Sequence, residues 1–494
     1  GVSGGPGRPW YDFLSIFRKD IGVPHDPVSA VPKESGPVRA AERASIDPLT
    51  RRFDLFLRDG LSGAARAFGL RMLGIAAGFL ANLLLAHALG AHGMGIVALA
   101  VTVAGVPAAL AVLGLNNALL RFAGAAAARQ DWRTILGLAR VSLRLSIVAS
   151  VLGGATVFVA APLLARDLFD EPALTLTLRL AALSVLPLAV NSVLAGLMKA
   201  IGRPAVATLA EMAGLSLAWL IGLSLLALML GPTLGPVSAI GAYSGGSLLV
   251  LALVFLIWRR STPRVPAEVS EAETRQLLRS SIPLFWIASV HLVASWADTL
   301  VLGAFLDAEA VGIYNVALRL ASLVSLTLIA VNTVLPQRFA ALFADGRTDE
   351  LQRLARQVTA FLWIVSLPVV LLFVLWPSGP LRLFGPEFVD GRFALVVLTL
   401  GHFVNVATGP VGYLLMMSGQ ERLLRNVVVV ATIINIALDL LLIPGFGVNG
   451  AAAASAASLA LLNISSLALV YRKLGLSPMP WSALRRHGTP TIAR

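Results

Sequence analysis

The sequence contains no cysteine and little charge, and both absences narrow the class of protein. Of its 494 residues, 57% are apolar and 13% are charged, which is about half the charged share of a soluble protein. Without cysteine, neither a disulfide nor a thiolate-bound metal site can form. Lysine occurs only at positions 19, 33, 199 and 473, so arginine carries nearly all of the positive charge. With a mean hydropathy of +0.82, the composition indicates an all-α integral membrane protein.

Catalytic motifs are missing as well. The sequence has no HExxH zinc motif, no Walker phosphate loop and no GxSxG nucleophile elbow. Its six histidines are scattered and make no ligand set, so we expect no metal and no cofactor. The loops between the apolar runs are too short to hold a catalytic domain, and we expect a protein that is not an enzyme. The formal charge of +13 in so apolar a chain favours basic loops against anionic lipid, and no nucleic-acid partner is expected.

The main feature of the sequence is a series of long apolar runs. Each is about 20 residues long, which is the length that a helix needs to cross the hydrocarbon core of a bilayer. The strands of a membrane barrel would alternate apolar and polar residues, and these runs do not. We predict twelve transmembrane helices, near residues 66–89, 95–120, 141–163, 173–199, 204–230, 236–258, 283–305, 311–337, 357–377, 393–418, 423–443 and 448–471.

The positions of arginine and lysine support this number of spans. Every second loop is basic, and the loops between them hold few cations and are often acidic. Because basic loops stay on the cytoplasmic side, both termini are predicted to be cytoplasmic. The basic loops are 121–140, 199–203, 259–282, 338–356 and 420–425. The predicted domains are a polar cytoplasmic N-terminal tail (1–60), a six-helix bundle (61–258), a cytoplasmic linker (259–282), a second six-helix bundle (283–471) and a cytoplasmic tail (472–494).

The two halves of the chain resemble each other at a shift near 217 residues. The matching segments, first half before second, are Gly95-Ile96 with Gly312-Ile313, Arg121-Phe-Ala with Arg338-Phe-Ala, and Gly202 with Gly419. Six spans per copy is an even number, so both copies insert in the same orientation. We therefore expect two six-helix repeats related by a pseudo-twofold axis along the membrane normal, with a substrate site at the interface between the repeats.

Asp298 and Arg319 are the best candidates for chemistry inside the spans. They flank a tight turn, and each lies roughly 10–12 Å below the same membrane surface at ~1.5 Å per helical residue. Ionisable groups at such depth are costly and are associated with function. Two interpretations remain open: a buried ion pair that fixes the hairpin, or two groups that line a central cavity, where Arg319 meets an anion and Asp298 holds it or titrates. Their first-half counterparts, Asn82 and Thr102, are polar but uncharged.

Four further ionisable residues lie near the ends of spans. Arg66 and Arg71 open the first span. They either extend to lipid headgroups or form an entrance site for a phosphate-bearing headgroup, because guanidinium groups match phosphate oxygens. Glu211 and Asp439 lie about one turn inside their spans, and we expect both to pair with neighbouring residues.

Several segments together resemble the polysaccharide flippases. They are Leu89-Gly to Gly95, Gly114-Leu-Asn-Asn-Ala-Leu-Leu-Arg121, Val311-Gly-Ile-Tyr314-Asn-Val-Ala-Leu-Arg319, Pro336-Gln-Arg-Phe-Ala340 and Ile443-Pro-Gly-Phe-Gly-Val-Asn-Gly450. Over residues 60–475 the sequence is similar to the O-antigen and exopolysaccharide branch of the superfamily that also holds the multidrug and toxin extrusion (MATE) transporters and the lipid II flippase. The resemblance implies two six-helix bundles in a MATE-like V shape around a cationic cavity.

The resemblance also implies a function. It points to a flippase that moves a polyprenyl-diphosphate-linked oligosaccharide from the cytoplasmic to the outer leaflet of a bacterial inner membrane by alternating access, for cell-surface polysaccharide synthesis. Expected partners are this substrate, membrane lipids, and polysaccharide polymerase or export proteins. The gate would be lined by spans one, two, seven and eight. The substrate-binding residues on those spans would be Arg66, Arg71, Asn82, Asn116, Asn117, Asp298 and Arg319.

Two other functions remain open. The first is a MATE-like exporter of small amphiphilic molecules that is coupled to protons or sodium ions. Such an exporter would favour an acidic cavity, whereas the ionisable residues here are biased towards arginine. The second is a membrane-embedded glycan-processing enzyme, which the short loops and the missing motifs disfavour.

Overall fold

The computed structural model describes residues 38–332 and 335–480. Most of the predicted N-terminal tail, residues 1–37, and most of the predicted C-terminal tail, from residue 481 on, lie outside the described residues. The chain divides into two compact units, Gly1–Ser62 and Gly63–Arg494. In the first unit residues 38–62 are helical. The membrane-spanning helices and the candidate site belong to the second unit.

The described chain is built from helices and contains no strand. Helix is the expected outcome for long apolar runs, because a helix satisfies its own backbone groups where lipid offers no hydrogen bonds. The helices are α1 (Val38–Leu110), α2 (Leu115–Ala128), α3 (Trp132–Leu163), α4 (Leu174–Ala200), α5 (Pro204–Thr208), α6 (Gly214–Leu230), α7 (Pro236–Ser261), α8 (Glu271–Phe305), α9 (Ala308–Ser322), α10 (Leu326–Val331), α11 (Leu335–Ala344), α12 (Thr348–Leu375), α13 (Ser378–Arg382), α14 (Arg392–Ala407), α15 (Val411–Met417) and α16 (Glu421–Leu474).

In the described residues, nine helical segments are long and apolar enough to cross a membrane, or ten if the bent helix α8 counts as one span. This confirms the prediction of an all-α, multi-pass membrane protein. Two of the nine segments, Ala65–Leu110 and Glu421–Leu474, are 46 and 54 residues long, about twice what one crossing needs. Each contains a glycine with non-helical backbone angles, Gly90 (φ 67°, ψ −175°) and Gly447 (φ 56°, ψ −135°).

In three of the predicted spans the α-helix is interrupted at a position that the hydropathy of the sequence did not indicate. The second predicted span is broken after α1, at Leu113 (φ 53°) and Gly114 (φ 69°). A Cβ atom at Gly114 would lie 2.6 Å from the backbone nitrogen of Phe285 on α8, so the break is held by close packing of backbone on backbone. A second interruption is the 3₁₀ segment Leu323–Ser325 between α9 and α10. The third is at Gly409 (φ 74°), between α14 and α15.

The linker predicted for residues 259–282 is extended over only residues 262–270. Its second part is helical because Ser270 and Glu273 form a reciprocal capping box at the start of α8. The extended part lies against the start of α3, where Glu268 N donates to Arg133 O at 3.2 Å and the two side chains form an ion pair at 3.2 Å. This pair is exposed and contributes little to stability.

One face of the second unit is formed by the turns at Gly90, at Leu306-Asp307 and in the 3₁₀ segment Pro386–Gly391, because Gly90 lies against Glu387 and Gly95 lies against Ala308. We call it the Gly90 face, and we call the opposite face, which carries the basic loops, the basic face. Towards the Gly90 face a single apolar core contains residues of both halves, such as Leu85 and Met94 with Tyr314 and Phe388. Towards the basic face the core separates into one cluster dominated by the first half and another formed by the second half. The halves are therefore packed together at the Gly90 face.

Candidate functional site: a cavity between the two halves

The hairpin that carries Asp298 and Arg319 has the predicted turn. Helix α8 ends at Phe305, and Asp307 caps α9 by accepting a hydrogen bond from Ala310 N at 2.9 Å. Beyond the turn, the Arg319 Nε donates to Asn315 Oδ1 at 2.9 Å, whereas Asp298 has other partners. Among the described residues, Asp298 and Arg319 form no ion pair with each other. The interpretation of the two as an ion pair that fixes the hairpin is therefore wrong.

Arg319 lines a cavity of about 340 Å³ between the two halves, which we call the central cavity. Asn82 and Thr102 of the first half line the same cavity. The uncharged counterparts that the repeat indicated therefore share one cavity with Arg319. The polar and aromatic lining consists of Asn82, Thr102, Trp219, Ser295, Trp296, Thr299, Asn315, Arg319 and Ser322.

Arg319 gives the central cavity its charge. It is the one ionised side chain among the described residues that line the cavity. Its side chain is enclosed by the protein but exposed to the cavity, and the ionisable group that interacts with it is Tyr243, which is not an acid. Because Nε is bonded to Asn315, the terminal Nη groups remain to donate to a ligand. A guanidinium without a carboxylate partner is well suited to bind an anion such as a phosphate group.

Two indole rings supply the aromatic part of the lining. Trp219 is fixed in place because its Nε1 donates to Ala239 O at 3.1 Å and its ring packs edge-on against Tyr243. Trp296 packs against α1, where a Cβ atom at Gly105 would lie 2.6 Å from its ring. Flat apolar rings beside amides and hydroxyls offer both stacking surfaces and hydrogen bonds to a polar ligand.

The remaining predicted site residues of the first half lie away from the central cavity. Arg66 and Arg71 lie roughly 28–36 Å from Gly90 along α1, near the basic face. The Nε of Arg71 is buried and has no hydrogen-bond partner among the described residues. Asn116 and Asn117 lie in the first turn of α2, where Asn117 N donates to Asn116 Oδ1 at 2.9 Å.

Asp298 lines a different cavity, of about 550 Å³, within the second half. We call it the second-half cavity. Its lining includes residues of α8, α9, α14 and α16. Ser295 and Leu318 line both cavities, so the wall between them is about one side chain thick. Asp298 and Arg319 therefore lie on opposite sides of this wall.

Asp298 forms a buried cluster with a second acid. Its Oδ2 accepts hydrogen bonds from the Tyr314 hydroxyl, at 2.5 Å, and from the Ser455 hydroxyl. Asp439 is fully buried and interacts with Asp298. Apart from the carboxyl–carboxyl contact itself, neither oxygen of Asp439 has a hydrogen-bond partner among the described residues, nor does the Oδ1 of Asp298. Because two adjacent buried carboxyl groups cannot both stay ionised alone, they must share a proton or bind a cation.

The expectation that Glu211 and Asp439 pair with neighbours is met in different ways. Glu211 forms an ion pair with Lys199 at 2.6 Å, as predicted. The partner of Asp439 is another carboxyl group, on a helix remote in sequence. The sequence did contain a signal for this buried polar site. Asn435 lies one turn before Asp439 and therefore on the same side of an otherwise apolar helix. The described residues contain no group of three or more His, Cys, Asp or Glu placed to hold a metal ion.

The halves cross in backbone contact at the Gly90 face. A Cβ atom at Gly95 would lie 1.6 Å from Ala308 O, and one at Gly312 would lie 2.0 Å from Ala91 O. The contact is reciprocal, because Gly95 and Gly312 are matched by the sequence repeat, and so are Ala91 and Ala308. Only glycine permits helices to approach so closely. This crossing closes the central cavity towards the Gly90 face.

A carboxylate of the second half also caps a helix of the first half. Ala91 N, the first amide after the break at Gly90, donates to Glu387 Oε1 at 2.9 Å. The free amides at a helix start carry a partial positive charge, which a carboxylate stabilises. Glu387 therefore joins the halves at the same face as the Gly95–Gly312 crossing.

Comparisons with known proteins agree with this architecture. A family model described as polysaccharide biosynthesis protein matches residues 64–340, and a MatE model matches residues 283–441. Two proteins of Haloferax volcanii are similar. "Probable flippase AglR" is 30% identical over 207 residues, or 40% of this chain and 42% of AglR. "Probable low-salt glycan biosynthesis flippase Agl15" is 25% identical over 223 residues, 43% of this chain and 46% of Agl15. The chain thus matches less than half the length of each of these relatives.

Solved structures show the same fold. An inward-facing multidrug resistance MATE transporter has a TM-score of 0.63 at 16% identity, covering 86% of this chain and 100% of that one. The lipid II flippase MurJ has a TM-score of 0.65 at 13% identity, covering 83% of this chain and 87% of MurJ. The resemblance that the sequence segments indicated is confirmed. Since the first family model covers more than half of the residues, this chain belongs to the polysaccharide biosynthesis protein family, within the superfamily of the MATE transporters.

Proposed function

We propose that the protein is a flippase that carries a polyprenyl-diphosphate-linked oligosaccharide from the cytoplasmic to the outer leaflet of a bacterial inner membrane, for cell-surface polysaccharide synthesis. The observation that carries this proposal is the central cavity. There, a guanidinium without an acidic partner is surrounded by amides, hydroxyls and two indole rings at the interface of the halves. Two proteins that are similar to this chain are named as probable flippases, which supports the proposal.

The physical chemistry of such a substrate fits the cavity. Sugars and a diphosphate are costly to move through hydrocarbon, whereas the polyprenyl tail is most stable within it. The Nη groups of Arg319 would bind the diphosphate, and the amides of Asn82 and Asn315 would bind sugar hydroxyls. The tail would remain in the lipid beside the protein.

We further propose that the chain crosses the membrane twelve times, in two six-helix repeats (61–258 and 283–471). The lengths of Ala65–Leu110 and Glu421–Leu474 support two crossings each, with reversals at Gly90 and Gly447. Glycines in corresponding parts of the two halves also share backbone angles. The matched Gly202 and Gly419 both have φ 76°. Gly231 (φ 52°, ψ −126°) lies 216 residues before Gly447 (φ 56°, ψ −135°) and has a similar conformation.

The proposed orientation places the basic face in the cytoplasm, by the positive-inside rule. The Gly90 face is then the outer face, and both termini are cytoplasmic. In this orientation the Gly95–Gly312 crossing closes the outer side, and the separation of the core near the basic face corresponds to a V that opens inward. Alternating access would part the crossing and bring the halves together at the cytoplasmic side.

Arg66, Arg71, Asn116 and Asn117 would act before the substrate reaches the central cavity. All four lie near the basic face, where the headgroup would arrive from the cytoplasmic leaflet. Arg71, with a buried Nε that has no partner among the described residues, is the strongest candidate for an initial contact with phosphate. Polysaccharide polymerase or export proteins are the partners that would take up the product.

The Asp298–Asp439 pair would supply the energy coupling. A proton or small cation bound between the carboxyl groups offsets their repulsion, so its binding and release change the stability of the contacts around them. Tyr314 connects this pair to helix α9, which also carries Arg319. Transport would therefore depend on a proton or cation gradient.

The proposal is tested by transport in proteoliposomes that contain a fluorescent short-chain polyprenyl-diphosphate oligosaccharide. Removing the guanidinium in Arg319→Ala removes charge-assisted hydrogen bonds worth about 1.5–3 kcal/mol, so flipping should slow by roughly 10- to 150-fold. Arg319→Lys keeps the charge but not the forked geometry of the guanidinium, so its flipping rate should lie between those of the wild type and Arg319→Ala. Arg382→Ala, which removes an exposed arginine at the Gly90 face, is the matched control and should flip normally. Wild-type flipping by Arg319→Ala would refute the role of the cavity.

The same vesicles discriminate the two alternatives. An exporter of amphiphilic cations would need an acidic group in the central cavity, and the one ionised group among its described lining residues is Arg319. We therefore expect no gradient-driven uptake of such cations. A glycan-processing enzyme would change the substrate, so recovery of intact lipid-linked oligosaccharide after flipping would exclude that function.

A further inference from the structure

The start of helix α8 presents an exposed stripe of side chains at the basic face. Its members follow one another at spacings of three and four residues, so they lie on one side of the helix. They are Glu271, Arg275, Leu278, Arg279 and Ile282. Together with Thr274 and with Val269 of the extended linker, they line an open groove of about 440 Å³, which we call the α8 groove. It shares no lining residue with the central cavity or the second-half cavity.

The walls of the α8 groove are held in place by close packing. The linker lies against α3, where a Cβ atom at Gly137 would be 2.7 Å from the Cβ of Val269. On the other side of α8, Leu277 is fully buried and Ser281 is 3% exposed. A Cβ atom at Gly114, just before α2, would lie 2.7 Å from Ser281 O. Helix α8 therefore cannot turn its exposed stripe towards the rest of the protein.

Two arginines give the α8 groove its charge. Arg275 and Arg279 are one helical turn apart, and neither forms an ion pair with a described residue. Glu271 lies one turn before Arg275 without pairing with it, and Glu273 instead accepts a hydrogen bond from Ser270 N at 2.9 Å to cap the helix. Because the helix start is already capped, the donors of the groove are arginine side chains. Two neighbouring guanidinium groups without acidic partners are suited to bind a phosphate.

The stripe changes from charged to apolar along the helix. Leu278 is 37% exposed, Ile282 58% and Trp286, one turn further on, 65%. Arg279 and Trp286 are seven residues apart, or about 10 Å. Tryptophan is enriched where hydrocarbon meets the headgroups of a bilayer. A molecule that matches the whole stripe must carry negative charge at one end and an apolar chain at the other.

We propose that the α8 groove is a binding site for an anionic glycerophospholipid of the cytoplasmic leaflet. The lipid phosphate would accept hydrogen bonds from Arg275 and Arg279, and an acyl chain would lie along Ile282 and Trp286. A resident lipid fits better than the transported substrate, because the groove is separate from the central cavity that a substrate must enter. The leaflet follows from the proposed orientation, whereas the binding itself does not depend on flipping.

The site is tested by fluorescence quenching of Trp286 in nanodiscs of phosphatidylcholine. Part of the lipid is replaced by either phosphatidylglycerol or phosphatidylcholine with brominated acyl chains, which quench an indole that they contact. The Trp286 signal is the difference between the wild type and Trp286→Phe. Half-maximal quenching by phosphatidylglycerol should occur at a roughly 5- to 30-fold lower fraction, because each arginine near the membrane surface contributes a preference of about fivefold.

Paired variants separate the groove from the general charge of the basic face. Arg275→Gln/Arg279→Gln should bring the preference close to one, and Arg275→Lys/Arg279→Lys should restore most of it. The matched control is Arg422→Gln/Arg425→Gln, which removes the same charge from two exposed arginines at the start of α16. This control should keep the preference, because α16 does not line the groove.

Equal quenching of the wild type by the two brominated lipids would overturn the proposal. Loss of the preference in the control variant would also overturn it, because the lipid would then respond to the general charge of the basic face. A short-chain polyprenyl-diphosphate oligosaccharide without bromine should leave the quenching unchanged. If it relieves the quenching, the groove binds the transported lipid and the proposal is wrong. All these measurements are made without flipping, so a failed flippase proposal would be recognised separately.

Discussion

Replacing Gly95 with alanine would place a methyl carbon 1.6 Å from the carbonyl oxygen of Ala308 and 2.6 Å from its carbonyl carbon. Ordinary contact begins at 3.4 Å, so the two helices would have to separate by roughly 1.5–2 Å. The opposing atoms belong to the backbone, and no side-chain rotation can relieve the clash. We expect Gly95→Ala to destabilise the state in which the Gly90 face is closed.

The size of the effect follows from the cost of overpacking. One extra methyl group at a tightly packed site costs about 1–3 kcal/mol, and each 1.4 kcal/mol corresponds to a factor of about ten in an equilibrium. The balance between closed and open outer sides should therefore shift by roughly 5- to 150-fold towards the open state. Gly312→Ala, whose added carbon would lie 2.0 Å from Ala91 O, should act in the same direction.

The assay is the reactivity of a single thiol in the central cavity, introduced as Thr102→Cys. An impermeant reagent applied at the Gly90 face reaches this thiol only when the crossing is open. We expect Gly95→Ala to increase the labelling rate from that face and to slow flipping, because the closed state that loads substrate becomes less populated. Gly124→Ala is the control, since a Cβ atom at Gly124 would meet no atom within 4 Å.

Unchanged labelling and unchanged flipping in the double variant Gly95→Ala/Gly312→Ala would refute the reasoning, because two added methyl groups cannot fit in the observed crossing. A control variant Gly124→Ala that behaved like Gly95→Ala would also refute it, since the effect would then not depend on the contact between the halves.

Two other predictions concern residues around this crossing. Glu387→Ala removes the acceptor for Ala91 N, and because loss of a helix cap costs about 0.5–2 kcal/mol, labelling of the same thiol from the Gly90 face should rise. Glu387→Gln, which keeps an acceptor oxygen, should have a smaller effect, and equal rates in both variants would contradict the capping role. Tyr314→Phe removes the donor of the 2.5 Å bond to Asp298 and should cost about 1–3 kcal/mol, measured as a lower unfolding temperature in detergent. An unchanged unfolding temperature would show that Tyr314 does not stabilise the carboxyl pair.

The sequence was sufficient to predict what depends on depth and length. Hydropathy and charge indicated the multi-pass helical class, and residue counting along the hairpin placed Asp298 and Arg319 at one depth. Depth is set by the rise per residue, which is constant along a helix. The repeat also identified Asn82 and Thr102, which the structure places in the same cavity as Arg319. All of these predictions use distances along the chain.

The sequence did not show which neighbouring residues each side chain contacts. Asp298 and Arg319 are separated by a wall because they lie on different sides of packed helices, and this depends on partners that are remote in sequence. The pairing of Asp298 with Asp439 is one example, and the cap that Glu387 provides to Ala91 is another. The interruption at Gly114 also arises from such contact, because the backbone of α8 lies against it.

Helix α9 carries three of the contacts described above within eight residues. Gly312 lies at the crossing, Tyr314 holds the carboxyl pair, and Arg319 faces the central cavity. A helix is stiff over two turns, so a substitution that turns or shifts α9 to suit a new sugar would also disturb the Gly95–Gly312 crossing and the Asp298–Asp439 pair. Relatives that carry different glycans should therefore differ at cavity positions of the first half, such as Asn82 and Thr102, and should keep α9 nearly unchanged.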